Sequence, residues 1–259
     1  MQDQKPFLKT KNLDIGYAEK AVAENLDLRF QKGRLHAIIG INGIGKSTLL
    51  QTLSGQLEKL SGEIELKNQE LNKFSPSDSA REIGVVFTHR DFSQNLTVYD
   101  FVALGRHPYT GFLGKLSNED KREVKDALEI LEIHHFSSRK CVNLSDGQLQ
   151  KVLIARVLAQ NTSVILMDEP THHLDFYNRA FVMRLLKKLT RDYNKCILFS
   201  THEINMALKL SDDIVLLQKS GCVQNTPAEL ISSQILENIF PKGQVQFNRK
   251  EGVFKIKEL

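Results

Sequence analysis

The sequence predicts an α/β fold in which helices cover a mostly parallel sheet, with a small antiparallel sheet beside it and an all-helical insert. Short apolar runs bounded by polar turns are typical of strands that a parallel sheet buries on both faces. Helical patterns lie between several of these runs, as the βα alternation of such a fold requires. The predicted strands cover residues 35–39, 83–87, 164–167, 196–199 and 214–217.

The other two parts of the fold follow from different patterns. Apolar and polar residues alternate in the first 35 residues and in residues 62–66, which favours a small antiparallel sheet. From about residue 89 to 159 the pattern is helical and no strand is predicted. Thr97 and Ser117 each fit the start of a capping box, and the first of these helices is expected to run through Gly105. After Ser117, apolar residues recur at helical spacing.

These patterns predict one domain over residues 1–259. In it, residues 1–88 and 160–259 form the core with the antiparallel subdomain, and residues 89–159 form the helical subdomain. The composition, 41% hydrophobic and 25% charged, is that of an ordinary globular chain. The net charge of +4 is too small to indicate a nucleic-acid partner.

No apolar run approaches the length of a membrane span, and residues 1–6 lack the apolar region of a secretory signal, so a cytosolic chain is expected. Cys141, Cys196 and Cys222 have no metal-type spacing and are expected to be buried thiols.

A glycine-rich segment follows the predicted strand at 35–39 and opens a helix. Residues 40–48 read G-x-x-x-x-G-K-S-T, in which glycines let backbone N–H groups curl around phosphate oxygens. Lys46 can reach the β- and γ-phosphates of ATP, and the Ser47 hydroxyl can bind Mg²⁺. The predicted nucleotide-binding residues of this segment are Gly40, Asn42, Gly43, Gly45, Lys46, Ser47 and Thr48.

Two carboxylates follow another buried strand, at residues 164–167. The carboxyl ends of strands are where ligands lie in open α/β sheets, so Asp168 is a candidate ligand of Mg²⁺, through water. Because strand side chains alternate, Glu169 is expected to face the other way and to activate the water that attacks the γ-phosphate. An Asp-Glu pair after a strand is by itself only a weak indication of a catalytic site. The phosphate loop upstream strengthens this interpretation.

The order of the remaining motifs resembles that of ATP-binding cassette (ABC) ATPases. Residues 144–148, Leu-Ser-Asp-Gly-Gln, are similar to the LSGGQ signature of that family. Leu174-Asp175 resembles the D-loop, His202 resembles the switch histidine, and Tyr17 stands where the family stacks an aromatic ring on adenine. The resemblance covers nearly the whole chain and implies a phosphate-loop NTPase core of the RecA type.

The resemblance also implies roles for single residues. In the family two cassettes pack head to tail, and each ATP lies between the phosphate loop of one copy and the signature of the other. Ser145, Gly147 and Gln148 would therefore act on the nucleotide of a second copy. His202 would bind the γ-phosphate, the alternative being an ordinary hydrogen-bonded residue at a strand end. Tyr17 would stack on adenine, the alternative being an ordinary core or surface tyrosine.

Two departures from the family pattern stand out. Where the family has a glutamine that binds Mg²⁺, this chain has Thr88, followed by His89. Thr88 takes that role, or His89 substitutes, or water fills the gap. Asp146 replaces a signature glycine and is expected to point away from phosphate. None of these changes touches the Lys46, Asp168, Glu169 and His202 set, so hydrolysis is expected.

Two further patterns carry less weight. Ile41 and Ile44 stand where the family often has smaller residues, both at free positions of the motif. The adjacent His172 and His173 suggest a metal site only weakly, because no third ligand is near in sequence.

A single cassette without membrane helices suits an importer whose permease is a separate chain. Residues 102–109 resemble a segment in ATPases of importers for ferric siderophores, haem and cobalamin, in which the insert docks the permease. The expected partners are a second copy, an integral membrane permease and, indirectly, a periplasmic or surface substrate-binding protein. The expected location is peripheral, on the cytoplasmic side of the plasma membrane.

Two alternatives stay open. One is an ABC ATPase that acts outside transport, as a regulator or assembly scaffold. The other is a nucleotide-binding module without turnover, which only Thr88 favours.

Overall fold

The N-terminal part of the chain forms an antiparallel sheet and then enters a parallel one. A computed structural model describes residues 5–87, 95–111, 114–172, 174–219, 221–240 and 243–257. β1 pairs antiparallel with β2, β3 and β5, and β5 pairs with β6, which confirms the predicted antiparallel sheet. The elements of this part are β1 (Leu8–Tyr17), β2 (Lys20–Leu26), β3 (Arg29–Phe30), β4 (Leu35–Ile39), α1 (Lys46–Leu53), β5 (Ser61–Leu66) and β6 (Gln69–Glu70).

The middle of the chain is mainly helical. Two strands of this part, β7 and β8, pair in parallel, with Ile83 opposite Val164. Between them, in the described residues from 95 to 159, no strand is present, as predicted. The elements are α2 (Pro76–Glu82), β7 (Ile83–Val86), α3 (Val98–Ala103), α4 (Asn118–Ile130), α5 (Asp146–Ala159), β8 (Val164–Met167) and α6 (Phe176–Asp192).

The predicted helix starts are confirmed. The Thr97 hydroxyl accepts a hydrogen bond from the Asp100 N–H, and Ser117 forms a complete capping box with Asp120. The first helix was predicted through Gly105 but ends at Ala103, and a 3₁₀ helix, Leu104–Tyr109, continues it. In an α-helix the ring of Pro108 would clash with the carbonyl group of Leu104, four residues earlier, so α-helical geometry does not continue through this position.

The C-terminal part forms a sheet with β4. β4 lies between β9 and β10 and runs parallel to both, and β11 forms an antiparallel hairpin with β10. Every residue of β4 and β9 is buried, as expected for strands covered on both faces. The elements are β9 (Cys196–Ser200), α7 (Ile204–Leu210), β10 (Asp213–Gln218), β11 (Gly221–Asn225), α8 (Pro227–Ser232), β12 (Val245–Asn248) and β13 (Val253–Ile256).

The chain divides into two compact units. The first comprises residues 1–73 and 186–259, and the second comprises residues 74–185. Among the helices of the described ranges, none is both long and apolar enough for a membrane crossing. The fold confirms the predicted α/β class.

The three cysteines are free thiols. Cys141 and Cys196 are buried as expected, whereas Cys222 is partly exposed. Burial raises the pKa of each of the three thiols above its ordinary value, most of all that of Cys196.

Candidate functional site

The loop after β4 has three glycines with positive φ, and two of them are closely packed. Gly40, Gly43 and Gly45 have φ of 152°, 73° and 108°, which favour a residue without a side chain. A Cβ at Gly40 would lie 2.7 Å from the Leu217 carbonyl oxygen, and one at Gly45 would lie 2.7 Å from Val22 Cγ1. The backbone is therefore packed tightly at Gly40 and Gly45, in a curl that fits a phosphate cradle.

Lys46 lies inside this loop. Its side chain is 6% exposed, and Nζ donates hydrogen bonds to the carbonyl oxygens of Gly40 at 3.0 Å and Ile41 at 3.2 Å. Lys46 is also the first residue of α1, and Gly45 is its N-cap. A positive side chain and a helix N-terminus thus meet at the loop, and both favour an anion. Ser47 follows in the first turn, where its hydroxyl is an oxygen donor of the kind that Mg²⁺ prefers.

Tyr17 is neither a core residue nor remote from the loop. It is the last residue of β1 and is 49% exposed. Its hydroxyl lies 3.4 Å from Thr48 Oγ1 and donates to Gln51 Oε1 at 3.3 Å, so the ring stands beside the start of α1. Adenine stacking by Tyr17 stays a prediction. Gln51 was not predicted, although its position one helical turn after Thr48 places it on the same face.

His202 follows β9 at the same sheet edge as the phosphate loop. The Thr201 N–H donates to the Ile38 carbonyl oxygen at 3.1 Å, which ties the end of β9 to the end of β4, two residues before Gly40. The Glu203 N–H in turn donates to Thr201 Oγ1 at 3.0 Å. His202 is exposed in this turn, and its predicted contact with the γ-phosphate stays a prediction.

In the second unit, Asp168 and Glu169 follow β8. The Asp168 N–H donates to the Val86 carbonyl oxygen at 2.8 Å, so the pairing of β8 with β7 continues to this residue. Glu169 has a φ of 48°, and its backbone carbonyl oxygen accepts a hydrogen bond from the His172 N–H at 3.0 Å. The alternation of strand side chains therefore stops before Glu169, and the turn, not the strand, determines where its carboxylate points. Thr88 and His89, at the predicted glutamine position, lie outside the described residues.

The signature segment forms the first turn of α5. Ser145 is the N-cap: its hydroxyl accepts from the Gln148 N–H at 3.4 Å, and its own N–H donates to Gln148 Oε1 at 3.1 Å. This capping box makes Ser145 the N-terminal cap of α5, and it engages the Gln148 side chain as well. Asp146 is exposed in the first turn.

Gly147 leaves room for a neighbour that was not predicted. A Cβ at Gly147 would lie 3.0 Å from Asn178 Nδ2. Asn178 donates to the carboxylate of Asp175 through its backbone N–H at 2.7 Å and through Nδ2 at 3.0 Å. The signature and the D-loop thus meet at Asn178. The Asp-x-x-Asn spacing at the start of α6 is the signal that indicates this cap.

The described residues contain no group of three His, Cys, Asp or Glu side chains arranged for a metal ion. Of the adjacent histidines, His173 lies outside the described residues. The oxygen donors Ser47 and Asp168 suit Mg²⁺ by their chemistry, since this ion takes carboxylate and hydroxyl oxygens together with water and phosphate.

Comparison with known proteins adds a family and three relatives. Residues 23–172 match the sequence profile described as ABC transporter. The iron(3+)-hydroxamate import ATP-binding protein FhuC of Bacillus subtilis is 34% identical over 234 residues, 90% of this chain and 87% of that protein.

Two solved structures share the fold. A chain from an inward-facing metal-chelate type ABC transporter superposes with a TM-score of 0.80 at 30% identity, covering 91% of this chain and 89% of that one. The dimeric ATP-binding cassette MJ0796, bound to ADP and Pi, matches with a TM-score of 0.73 at 30% identity, covering 85% of this chain and 98% of that one.

Proposed function

The chain belongs to the ABC transporter family of ATPases, and from this premise we propose that it powers the import of a ferric siderophore. The observation that carries the proposal is the similarity to an iron(3+)-hydroxamate import protein along 90% of the chain. The match to a metal-chelate type transporter supports the same class of cargo. Haem and cobalamin are the other cargoes that residues 102–109 suggest.

ATP is the substrate, and three residues carry its hydrolysis. Lys46 neutralises charge on the β- and γ-phosphates, since its ammonium already lies inside the loop. Glu169 takes the proton of the attacking water, and His202 donates a hydrogen bond to the γ-phosphate. Tyr17 binds the adenine ring. Mg²⁺ bound by Ser47 and Asp168 would offset the negative charge of the phosphates.

A second copy completes each site. Ser145, Gly147 and Gln148 form a helix N-terminus, which favours an anion, and we assign them to the nucleotide of the partner copy. The dimeric relative with ADP and Pi supports this arrangement. ATP binding then closes the pair, and hydrolysis lets it reopen.

The remaining partners follow from the importer role. The pair of cassettes docks on an integral membrane permease at the cytoplasmic face, through residues 89–115. A periplasmic or surface protein delivers the cargo. Where the family has a glutamine, the third ligand of Mg²⁺ would be Thr88, His89 or a water molecule.

The proposal is tested by purification from membranes and by uptake. The tagged chain is expected to copurify with a polytopic permease, and cells lacking the gene are expected to lose uptake of an iron-55 hydroxamate chelate at least tenfold. Copurification with cytosolic proteins alone, with uptake unchanged, would favour the regulator or scaffold instead. A permease that is captured while iron uptake persists would redirect the cargo to haem or cobalamin.

A further inference from the structure

Arg106, in the segment that resembles those of iron-chelate importers, is a buried residue. Its side chain belongs to the 3₁₀ helix Leu104–Tyr109 and is 3% exposed. Nε donates to Asp120 Oδ1 at 2.8 Å, and one terminal nitrogen donates to the Ala159 carbonyl oxygen at 2.7 Å. Arg106 therefore faces the interior of the second unit and does not itself present a surface to a permease.

The Ala159 bond lies at the C-terminal end of α5. The last carbonyl groups of a helix have no partner within it, and that end carries partial negative charge. Arg106 binds the carbonyl of Ala159, and the Tyr109 hydroxyl donates to the carbonyl of Gln160 at 3.0 Å. The guanidinium also stacks 3.9 Å from the centre of the Tyr109 ring. The 3₁₀ helix thus closes the C-terminal end of α5 with a cation and a hydroxyl.

Asp120 joins this end of α5 to the start of α4. Its other oxygen, Oδ2, accepts from the Ser117 N–H at 2.8 Å and the Ser117 hydroxyl at 2.6 Å. The bond from the Ser117 hydroxyl and then that from Arg106 lower the pKa of Asp120, against the effect of its burial. A Cβ at Gly105 would lie only 2.1 Å from the Arg156 carbonyl oxygen, so the 3₁₀ helix rests directly on α5.

We propose that Arg106 is a positioning residue that sets the orientation of α5 and thereby of the signature at its other end. The inference rests on the proposed function, in which Ser145 and Gly147 act on the nucleotide of a second copy. α5 has 14 residues, so its ends are about 21 Å apart. A rotation of about 4° at the Arg106 end moves the signature by roughly 1.5 Å, and a misplacement of about 1 Å costs on the order of 100-fold in rate.

The test compares Arg106→Met with the wild-type full chain, alone or with its copurified permease. We expect kcat for ATP to fall about 10- to 100-fold. The affinity for ATP is expected to stay within about twofold, because the phosphate loop belongs to the other compact unit. The rate is expressed per nucleotide-binding site, measured by titration, so that loss of folded protein does not enter kcat. Arg122→Met, on the exposed face of α4, is the matched control and is expected to leave kcat unchanged.

A second variant separates positioning from folding. Arg106→Met alone leaves a buried carboxylate without its cation, whereas Arg106→Met with Asp120→Asn removes both charges and keeps an acceptor for Ser117. We expect the double variant to regain unfolding temperature but not kcat. If kcat returns to within twofold of the wild type together with stability, or if ATP affinity falls in parallel with kcat, Arg106 is only structural. A wild-type chain that hydrolyses no ATP in either form would instead refute the proposed function.

Discussion

Replacement of Gly45 by alanine is expected to destabilise the first unit and to distort the phosphate loop. A φ of 108° places Gly45 in the left-handed region, which residues with a side chain rarely adopt, and the strain costs about 1–2 kcal/mol. The new Cβ also meets Val22 Cγ1 at 2.7 Å, and such overpacking costs about 1–3 kcal/mol. Alanine restricts the unfolded chain, which returns about 0.4–1 kcal/mol. The net expected loss is about 1–5 kcal/mol.

Two further variants separate the causes. Gly43→Ala has a φ of 73° and no heavy atom within 4 Å of the new Cβ, so it carries backbone strain alone, with a net loss of about 0–1.6 kcal/mol. Val22→Ala in the Gly45→Ala background removes the clash but leaves the strain. The double variant is therefore expected to be more stable than the sum of the two single changes predicts, by about 1–3 kcal/mol.

The chain contains no tryptophan, so urea unfolding is best followed by far-UV circular dichroism, with ATP affinity measured on the same samples using a fluorescent nucleotide. Gly45→Ala is expected to weaken ATP binding as well, because Lys46 follows it directly. A loss of stability no larger than that of Gly43→Ala, or strict additivity with Val22→Ala, would show that the close packing at Gly45 does not determine the loop.

Three more predictions follow. Glu169→Gln is expected to lower ATP hydrolysis at least 100-fold and to leave a dimer that gel filtration detects in ATP but not in ADP, because the base is lost while binding remains. Lys46→Ala is expected to weaken ATP binding at least tenfold by equilibrium titration, because both a charge and two bonds to the loop are removed. Cys196 is expected to resist iodoacetamide at pH 8 in the folded chain, as measured by mass spectrometry, because burial raises its thiol pKa. The ordinary pKa of a cysteine thiol, 9.0, applies to Cys196 in the unfolded chain, and burial raises the pKa in the folded chain. Above pH 9.0 the unfolded thiol therefore loses its proton while the buried one keeps it, so the free energy of unfolding falls as the pH rises.

Each of these has a matched comparison. Glu203→Gln, at an exposed position, should not alter turnover. Lys188→Ala should leave ATP affinity unchanged. Cys222, which is partly exposed, should react before Cys196. Rapid alkylation of Cys196 in folded protein would contradict its burial, and ATP affinity unaffected by Lys46→Ala would exclude the loop as the phosphate site.

The features that the sequence predicted correctly depend on residues close together in the chain. The strand at 35–39 is recognised by its own apolar run, and the glycine loop and α1 follow it without interruption. The caps at Thr97 and Ser117 join residues three positions apart, so spacing alone is sufficient to find them. A periodic pattern shows which residues face the core, but it does not show which distant segment they pack against.

Contacts between distant segments were decided by packing. Tyr17 meets Thr48 across 31 residues, and Arg106 meets Ala159 across 53. From its sequence alone, the segment of Arg106 was associated with a permease, because nothing local shows that this side chain turns inward to close the end of α5. The phosphate loop can thus be recognised in the sequence, because its residues are consecutive. The support of the signature helix depends on the tertiary structure, because buried polar groups need hydrogen-bond partners and distant segments supply them.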